Sequence, residues 1–548
     1  MAVTLTINGQ SIQATSGRSL FDHAEALGID VPTSCRKQGK CRECMVEVVE
    51  GMHALSAIAE PERHLKGNFR LSCQACVTAT EGQVRCHTMH RGHMRIEQRA
   101  FGLPIGNRDF TLDPAVARDG DRILIDGVEV ERSNGPILGL AMDLGTTTVV
   151  LRLVDLETGQ LIADTSFENP QRFGGSEVMS RIAYDTEHPG RLLMRTLAGY
   201  LTHAIERFPV DPKTIYEMVV VGNSTMRDLF FRQSVYSIGQ NPYRSITEIE
   251  MAEGKRVTTS LSQTGQQSLL PIHPKARVYG VPIISGHVGA DAAACMLAVD
   301  LAHEERLVAV MDIGTNTELI VGNKHRILAA SCPAGPAFEG GAIACGMPAL
   351  DGAIEEVAIA GDGSFRLRVI GDVPPEGICG SGLIDVLSEL LRTGRMNDLG
   401  RFADDIERIT LSDDKDKEVF LLESDVNELA QAKGANVAGL RAVFSTYGID
   451  FDDTGVFYLA GGFGRHLNVE ASKRIGLVPS IASSKIVQAG NTAIEGATIA
   501  LLSKSKRQEL EDLVKRVEHC RLETHPDFFE FFVEGCQFKP LEPISCAS

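Results

Sequence analysis

Hydrophobic and polar residues alternate in short runs at the start of the chain and predict a small, strand-rich module over residues 1–86. The run VTLTI alternates as a strand, Asn8-Gly9 is typical of a tight hairpin turn, and SIQAT fits the return strand. The next run, SLFDHAEALG, changes to helical spacing and begins with a capping serine. The alternating run CMVEVVEG, a segment AEPERHLKG that we expect to be helical, and a last strand QVRCHTM complete the module.

From residue 137 onward, apolar strands alternate with helical segments, a pattern typical of an α/β fold. The run LGLAMDLGTTTVVLRLVDLETGQLIAD predicts a strand, a glycine turn, a strand, a turn and a strand, and RLVAVMDIGTNTELIVGNKHRILAAS repeats this order. The aspartates of the two runs, Asp143 and Asp312, lie 169 residues apart. A repeat of that length indicates a duplicated domain. We therefore expect two lobes, at residues 137–280 and 281–548, the second with a C-terminal extension.

Two polar stretches interrupt this pattern. Residues 87–136 are weakly patterned, and we predict a linker there with one short hairpin in RILIDGVEVER. The charged run LSDDKDKEV at residues 411–419 predicts a solvated loop.

The overall composition limits the function classes. A chain of 548 residues is long enough for several domains with sizeable cores. Its formal net charge of −18 argues against a nucleic-acid partner, which needs a basic surface. The start of the chain lacks the pattern of a signal peptide, and no apolar run approaches the roughly 18–20 residues that a membrane helix needs. We predict a cytoplasmic protein, in which 13 cysteines are metal ligands and buried thiols rather than disulfides.

Four cysteines in the N-terminal module have the spacing of ligands to a 2Fe–2S cluster. Cys35, Cys41 and Cys44 form C-x5-C-x2-C, and Cys73 follows in RLSCQACV. The plant-type arrangement is C-x4-C-x2-C with a remote fourth cysteine, so the first gap here is one residue longer. The order of the predicted strands and helices is that of a β-grasp ferredoxin, which favours the cluster.

Two other metal sites compete with this interpretation. Cys41-x2-Cys44 together with Cys73-x2-Cys76 is a plausible zinc pattern, and it leaves Cys76 as an alternative fourth ligand. We prefer Cys73, because RLSCQ resembles the ferredoxin segment RLACQ. A further cluster follows Cys86 and has three histidines in a basic stretch, which is more typical of a linker than of a metal site. These are His87, His90 and His93.

Two glycine–threonine turns and one glycine cluster predict a nucleotide site. DLGTTT at 143–148 and DIGTNT at 312–317 each end an apolar strand and offer hydroxyl and backbone N–H donors that can cradle phosphates between two lobes. Asp143 and Asp312 would then face a metal-bound phosphate or an attacking water. A third strand runs into AGGFG, whose glycines allow close approach to an adenine or a ribose. The candidate binding residues are Gly145, Thr146, Thr147, Gly314, Thr315, Asn316, Gly461, Gly462 and Gly464.

Residues 137 to about 505 resemble the actin-like ATPases, a superfamily that includes the sugar kinases, Hsp70 and actin. The resemblance implies phosphate loops at 143–148 and 312–317 and adenosine binding near 460–464. It makes ATP with Mg²⁺ the expected ligand. The alternative is a duplicated ribonuclease-H-like domain that has lost nucleotide binding.

Together, the two parts resemble the reductive activators of corrinoid proteins that carry a plant-type ferredoxin domain. Segments that resemble this family are FENPQRFG, VVVGNSTM, GADAAACML, CPAGPAFEGGAI, GICGSGLIDVL, AGGFGRHL and HPDFFEFF. The resemblance implies ATP-dependent reduction of Co(II) to Co(I) on a corrinoid protein of a methyltransferase system. It makes a homodimer plausible and leaves the electron donor unknown.

Two other functions are compatible with these motifs. One is a small-molecule kinase with a regulatory ferredoxin domain, in which Asp312 would be catalytic. The other is an electron-transfer or scaffold protein that uses only the cluster. Among the remaining polar residues, Ser224, Thr225 and Ser381 could line the cleft or be ordinary turn residues. Three cysteines of the second lobe could contact a corrinoid, although buried, inert thiols are the more common case. They are Cys332, Cys345 and Cys379.

Overall fold

A computed structural model of the chain describes residues 3–89, 111–413, 418–462 and 467–543. The N-terminal module is a five-stranded sheet in the order β2-β1-β5-β3-β4, with β1 and β5 parallel. One helix covers the sheet. Its elements are β1 (Val3–Ile7), β2 (Gln10–Gln13), α1 (Leu20–Ala26), β3 (Met45–Glu50), β4 (Phe69–Leu71) and β5 (Gly82–Thr88). This is the β-grasp fold that the sequence predicts, and Ser19 caps α1 by accepting a hydrogen bond from the N–H of Asp22.

The prediction of a helix in AEPERHLKG is wrong except for a single turn. Only Glu60–Glu62 is helical, and it forms a 3₁₀ turn. The buried Glu62 carboxylate accepts hydrogen bonds from the Arg70 side chain and from the N–H of Leu71. These contacts hold the segment against β4 instead of allowing the helix to continue.

A small antiparallel sheet precedes the first lobe and contains the hairpin that the sequence predicts at RILIDGVEVER. Its strands are β6 (Val116–Asp119), β7 (Arg122–Ile125) and β8 (Val128–Arg132).

The first lobe is built on a six-stranded sheet in the order β11-β10-β9-β12-β14-β13. Its strands are β9 (Leu138–Leu144), β10 (Thr148–Asp155), β11 (Leu161–Glu168), β12 (Ile215–Val221), β13 (Leu261–Thr264) and β14 (Arg277–Gly280). Its helices are α2 (Val178–Glu187), α3 (Leu192–Glu206), α4 (Ser224–Phe230), α5 (Ile246–Ala252), α6 (Gly265–Ser268) and α7 (Ala290–Ala298).

The second lobe repeats the start of the first. Strands β15, β16 and β17 are antiparallel, and β23 pairs in parallel with β15, as β12 does with β9. The strands of the main sheet are β15 (Val308–Asp312), β16 (Asn316–Gly322), β17 (Ile327–Pro333), β23 (Val456–Ala460), β24 (Ile486–Gly490) and β25 (Val517–His519). Two smaller sheets contain β18 (Ala353–Ile359), β19 (Phe365–Val369) and β20 (Gly377–Ile378), and β21 (Arg408–Asp413) with β22 (Glu418–Leu422). The helices are α8 (Gly380–Arg392), α9 (Glu423–Tyr447), α10 (Val469–Arg474), α11 (Thr492–Leu502), α12 (Lys504–Leu513) and α13 (Phe528–Gly535).

The charged run at 411–419 is not a loop throughout, which corrects the prediction. Its two ends belong to β21 and β22, and residues 414–417 lie outside the described part of the chain. The flanking pattern explains the difference, because Leu411 and Val419 are buried in the core of the second lobe.

The two main sheets share one hydrophobic core. Helix α11, late in the sequence, packs against α7, β9 and β12 of the first lobe. A Cβ atom on Gly496 of α11 would lie 2.0 Å from the carbonyl oxygen of Ala294 in α7, so the two helices can cross this closely only with glycine at that position. Among the described residues, no helix is both long and apolar enough to span a bilayer.

Candidate functional site

The loop that carries three of the cysteines winds through several left-handed residues. Arg36, Lys37, Gly39 and Arg42 have φ values between 53° and 70°. A loop of this shape turns successive backbone N–H groups toward its centre. The Cys35 sulfur accepts hydrogen bonds from the N–H groups of residues 38, 40 and 41. A Cβ atom on Gly39 would lie 3.0 Å from Pro61 and 3.1 Å from Gln74, so glycine is needed for this close approach.

The structure places the sulfurs of the four predicted ligands in contact as two pairs. Cys35 contacts Cys41, and Cys44 contacts Cys73. The Cys44 thiol donates to the sulfur of Cys73, which lowers the pKa of Cys73 to about 6 and raises the pKa of Cys44. Four thiols with convergent N–H donors fit the ligand set of a 2Fe–2S cluster.

Cys76 has a different environment from Cys73. Its backbone pairs with Ser19, and its N–H donates to Ser56 Oγ at 3.1 Å. None of the thiol–thiol contacts within the described residues involves Cys76. Cys73 instead accepts a hydrogen bond from the Gln74 side chain, with Nε2 at 3.3 Å from Sγ. Of the second candidate metal cluster, His87 lies in β5, whereas His90 and His93 are outside the described residues.

The cysteine loop is packed against the first lobe. Glu43, next to Cys44, accepts hydrogen bonds from Ser34 at 2.7 Å and from His203 of α3 at 3.0 Å. The pKa of His203 is raised by this contact with Glu43. Arg172 of the first lobe forms an ion pair with Glu47 of β3 at 3.3 Å. The candidate redox site therefore contacts the candidate nucleotide domain directly.

The two predicted phosphate loops face each other across a cavity of about 300 Å³. Each loop follows the first strand of its lobe, β9 or β15. In the first loop, the N–H of Gly145 donates a hydrogen bond to the carbonyl oxygen of Thr148 at 2.9 Å, which closes the turn. The Thr147 and Thr315 hydroxyls, one from each lobe, are 2.8 Å apart. The residues that line the cavity include Gly145, Thr146, Thr147, Gly314, Thr315, Asn316, Gly461 and Gly462.

Three aspartates lie within the cavity. Burial raises the pKa of Asp143 to about 7, despite a 2.8 Å hydrogen bond from Asn491, and Asp312 raises it further. Burial also raises the pKa of Asp291 to about 7, with Asp143 and Asp312 adding to the effect. The pKa of Asp312 is raised by burial, against a hydrogen bond from the Cys295 thiol at 3.1 Å. Carboxylate oxygens, together with water, are the ligands that Mg²⁺ prefers.

A buried cation lies behind the first phosphate loop. The side chain of Arg181 is fully buried and donates to the carbonyl oxygens of Thr146 at 2.6 Å and of Gly175 at 3.0 Å. Within the described residues it forms no salt bridge. Burial lowers its pKa to about 9, so it is still charged at neutral pH. A buried positive charge that has hydrogen-bond partners but no ion pair favours the binding of an anion in the adjacent loop.

The third predicted element also reaches the cavity. β23 ends at Ala460, and the N–H of Gly461 donates to the carbonyl oxygen of Gly490 at 3.0 Å. Gly462 lines the cavity, whereas Gly464 lies outside the described residues.

The remaining candidates are divided between the cavity and the core. Ser381 and Cys379 line the cavity at the start of α8. Ser224 is buried and donates to the carbonyl oxygen of Ser285, so it has a structural role. Cys332 is buried, and burial raises its pKa to about 12, which makes its thiol unreactive. Thr225 is buried as well, and Cys345 is partly buried.

Sequence reasoning missed several cavity residues. Asp291, Glu318, Glu339 and Asn491 line the cavity, and the spacing of residues gave no reason to choose them. Asp291 lies in GADAAACML and Glu339 in CPAGPAFEGGAI, both among the segments that resemble the activator family. An acid two residues after glycine, in the first turn of an apolar helix, was the available signal for Asp291.

Three sequence models of protein families match the chain in succession. A 2Fe-2S iron-sulfur cluster binding domain matches residues 4–78, the RACo middle region matches 138–304, and the C-terminal domain of RACo, the ASKHA domain, matches 306–544. The N-terminal match supports the iron–sulfur cluster over the zinc alternative.

Named relatives match over most of the chain. The corrinoid activation enzyme RamQ of Eubacterium limosum is 27% identical over 98% of this chain and 99% of its own length. The Co(II) methylated amine-specific corrinoid protein reductase of Methanosarcina barkeri is 26% identical over 72% of this chain and 76% of its own. A solved structure, the reductive activator for corrinoid, iron-sulfur protein, is 25% identical over 98% of both chains, with a TM-score of 0.72. The chain therefore belongs to the family of reductive activators of corrinoid proteins, which join a ferredoxin domain to a duplicated domain of the actin and sugar-kinase fold.

Proposed function

We propose that this protein uses ATP to drive the one-electron reduction of a corrinoid protein from Co(II) to Co(I), which restores the form that accepts a methyl group. The observation that carries the proposal is a loop with three cysteines, joined by Cys73, that is packed against a lobe whose phosphate loop faces a second phosphate loop across a cavity of about 300 Å³. The named relatives support this function over a kinase, because they are an activation enzyme and a reductase.

The N-terminal loop provides the ligands and their surroundings. Cys35, Cys41, Cys44 and Cys73 would hold a 2Fe–2S cluster, which when bound supplies a single low-potential electron. The N–H groups that already point at these sulfurs would stabilise negative charge on the ligand set. Glu43 and His203 fix the loop on the first lobe.

The cleft provides binding groups for a nucleotide. Thr147 and Thr315 offer hydroxyl donors from opposite lobes, and Arg181 places a positive charge behind the first loop. Asp143, Asp291 and Asp312 would hold a divalent cation, which supplies charge neutralisation at the phosphates when bound. Gly461 and Gly462 leave room on the second lobe for the nucleoside.

The energetics explain why ATP is needed. A plant-type cluster has a potential of about −400 mV, and each ~59 mV of uphill transfer costs a factor of ten in equilibrium for one electron. A ligand shifts such an equilibrium only by binding two states with different affinity. We propose that the protein binds the Co(II) partner and changes the axial ligation of its cobalt, and that ATP binding and hydrolysis reset the complex.

The direct test mixes the reduced protein, ATP, Mg²⁺ and a Co(II) corrinoid protein and follows the visible spectrum of Co(I). We expect ATP-dependent Co(I) formation, with loss of the reaction in Cys41→Ser and in Asp312→Asn. Cys41→Ser should still bind nucleotide, and Asp312→Asn should still show the cluster spectrum. Phosphorylation of a small molecule by the isolated protein, with no Co(I) in any mixture, would contradict the proposal and favour the kinase.

Several finer points belong to the same proposal. We propose Mg²⁺ as the cation, because oxygen ligands dominate the acidic cluster. The family resemblance supports a homodimer, which sedimentation equilibrium would test.

Free, partly exposed thiols beside a low-potential cluster suit a reducing compartment, and we propose the cytoplasm. The electron donor is a separate protein or small reductant that the motifs do not identify.

A further inference from the structure

Glu339 connects the two phosphate loops across the cleft. Its Oε2 atom accepts a hydrogen bond from Thr147 at 2.8 Å and another from Thr315 at 2.7 Å. Thr147 belongs to the first lobe, whereas Thr315 and Glu339 belong to the second. The three oxygen atoms form a triangle whose third side, between the two hydroxyls, is 2.8 Å. A single carboxylate oxygen therefore ties one lobe to the other at the phosphate loops.

The same hydroxyls are the groups that the loops would offer to a phosphate. Each hydroxyl has one proton, and a charged Glu339 carboxylate can only accept, so it competes with a phosphate oxygen for both protons. The backbone N–H of Thr315 also donates to this carboxylate. Glu339 therefore occupies the position where an anionic oxygen of a nucleotide would accept hydrogen bonds. A phosphate oxygen and the carboxylate cannot both take these donors, and their like charges repel each other inside the cleft.

We propose that Glu339 is a latch that holds the phosphate loops together in the empty cleft, and that the terminal phosphate of ATP opens this latch whereas ADP leaves it closed. The inference rests on the proposed nucleotide binding and adds a residue that distinguishes the two nucleotides. Thr147 and Thr315 come from equivalent turns of the duplicated lobes and line the same cavity as Glu339, so a group that lies between them meets both phosphate loops at once. The terminal phosphate is the part of ATP that ADP lacks, and we assign to it the oxygen that replaces Glu339 between the two hydroxyls.

The surroundings of Glu339 allow the side chain to leave without unfolding the turn that carries it. Ala337 and Phe338, the other residues of the Ala337–Glu339 turn, are buried. The Glu339 side chain itself borders the cavity, which gives it space to rotate. Opening the latch therefore breaks the link between the lobes while the turn stays anchored. ATP binding then exchanges a bond within the protein for bonds to the nucleotide.

The test compares the affinities of a non-hydrolysable ATP analogue and of ADP, each with Mg²⁺, for the cluster-loaded protein by calorimetry. In Glu339→Ala the analogue no longer competes with the carboxylate, and we expect its affinity to rise about tenfold or more. The affinity for ADP should change less than about twofold, because ADP leaves the latch in place. Glu339→Gln keeps the shape and removes the charge, so it should give a smaller gain in the same direction.

Glu428→Gln is the matched control, because it removes a carboxylate charge from an exposed position on α9 of the same lobe, outside the residues that line the cavity. We expect it to leave both affinities unchanged. Equal affinity of the analogue for Glu339→Ala and the parent protein, with normal thermal unfolding, would overturn the latch. Weaker binding in both Glu339 variants would also overturn it and would make Glu339 a ligand group. Failure of the parent protein to bind either nucleotide would instead refute the proposed function.

Discussion

Cys73 and Cys76 lie three positions apart, yet their neighbours differ. Cys73 contacts the sulfur of Cys44, whereas the backbone of Cys76 pairs with Ser19. The cysteine spacing leaves both as possible fourth ligands, since each gives a plausible pattern. The difference comes from the turn after β4, which is a tertiary feature that spacing does not encode.

Replacing each cysteine by serine separates the two assignments. Cys73→Ser should lose most of the visible absorbance of the cluster, because a hydroxyl is a poor ligand for iron compared with a thiolate. Cys76→Ser should keep the absorbance and the iron content, and it is the matched control. Iron and acid-labile sulfide analysis together with the visible spectrum provide the measurement. Loss of the cluster in Cys76→Ser alone would reverse the assignment.

The aspartates of the cleft predict a pH dependence. The pKa values of Asp143 and Asp291 are raised to about 7, so both carboxyls are largely protonated below that pH in the absence of a cation. A divalent cation binds the charged form and must displace these protons. Affinity for Mg²⁺ with nucleotide should therefore rise as the pH increases through 7. It should fall on acidification, by about tenfold per pH unit for each proton displaced.

Titration calorimetry at pH 6, 7 and 8 measures this effect, and buffers of different ionisation enthalpy count the protons released. Asp291→Asn should reduce the number of protons by about one, because it removes one titrating group. An affinity that is constant from pH 6 to pH 8 would contradict a role for these carboxyls in binding the cation.

At the scale of secondary-structure elements, a buried ion pair fastens a late helix to an early strand. Arg152 of β10 donates to Glu495 of α11 at 2.8 Å and to Thr498 at 3.1 Å. Both charged side chains are buried. Arg152→Met leaves the Glu495 carboxylate without its cation and should destabilise the fold by about 3–5 kcal/mol.

The double variant Arg152→Met with Glu495→Met tests the reason for that loss. It removes both charges, so it should recover most of the stability that the single variant loses. Denaturant unfolding followed by circular dichroism gives the free energies. If the double variant is as unstable as the single one, packing rather than the uncompensated charge is responsible.

Elements with a strong local pattern could be predicted from the sequence. The hairpin at Asn8-Gly9, helix α1 with its Ser19 cap and the two glycine turns have residue types that determine their local conformation. The segment around Glu62 could not be predicted, because a buried contact with Arg70 decides its shape. Strands β21 and β22 were not predicted, because the charged run LSDDKDKEV covers their adjacent ends.

For the whole molecule, the contact between the ferredoxin module and the first lobe decides how the redox site is held. Arg172 pairs with Glu47 across this contact and with Glu168 inside the lobe. Arg172 lies three residues after Asn169. The Asn169 side chain donates to the carbonyl oxygen of Gly145 in the first phosphate loop at 2.8 Å. A short segment therefore touches both the candidate nucleotide site and the ferredoxin module.

Reversing one charge tests this contact. Glu47→Arg places two guanidinium groups together, and we expect a larger radius of gyration by small-angle scattering as the module detaches. Glu50→Arg on the same strand loses only its pair with Arg85 within the module, so it should keep the compact form. Combining Glu47→Arg with Arg172→Glu should restore part of the contact. An unchanged radius of gyration in Glu47→Arg would show that this ion pair does not hold the module in place.

The succession of a ferredoxin module and two similar lobes could be predicted at this scale. The cysteine spacing indicates the module, and the repeated glycine–threonine turn indicates the two lobes. Asp291 and Asn491 could not be predicted, because they reach the predicted Asp143 and Asp312 only when α7 and α11 are packed between the sheets. Such contacts join residues that are far apart in sequence.

The crossing of α11 over α7 also limits how the chain can be divided. A fragment that ended near residue 305 would lack α11 and would leave Ala141 and Val219 of the first sheet uncovered. We expect that fragment to aggregate when expressed alone and to become soluble when the remaining chain is supplied as a second polypeptide. We therefore expect that neither lobe folds without the other, although the two lobes are consecutive in the sequence.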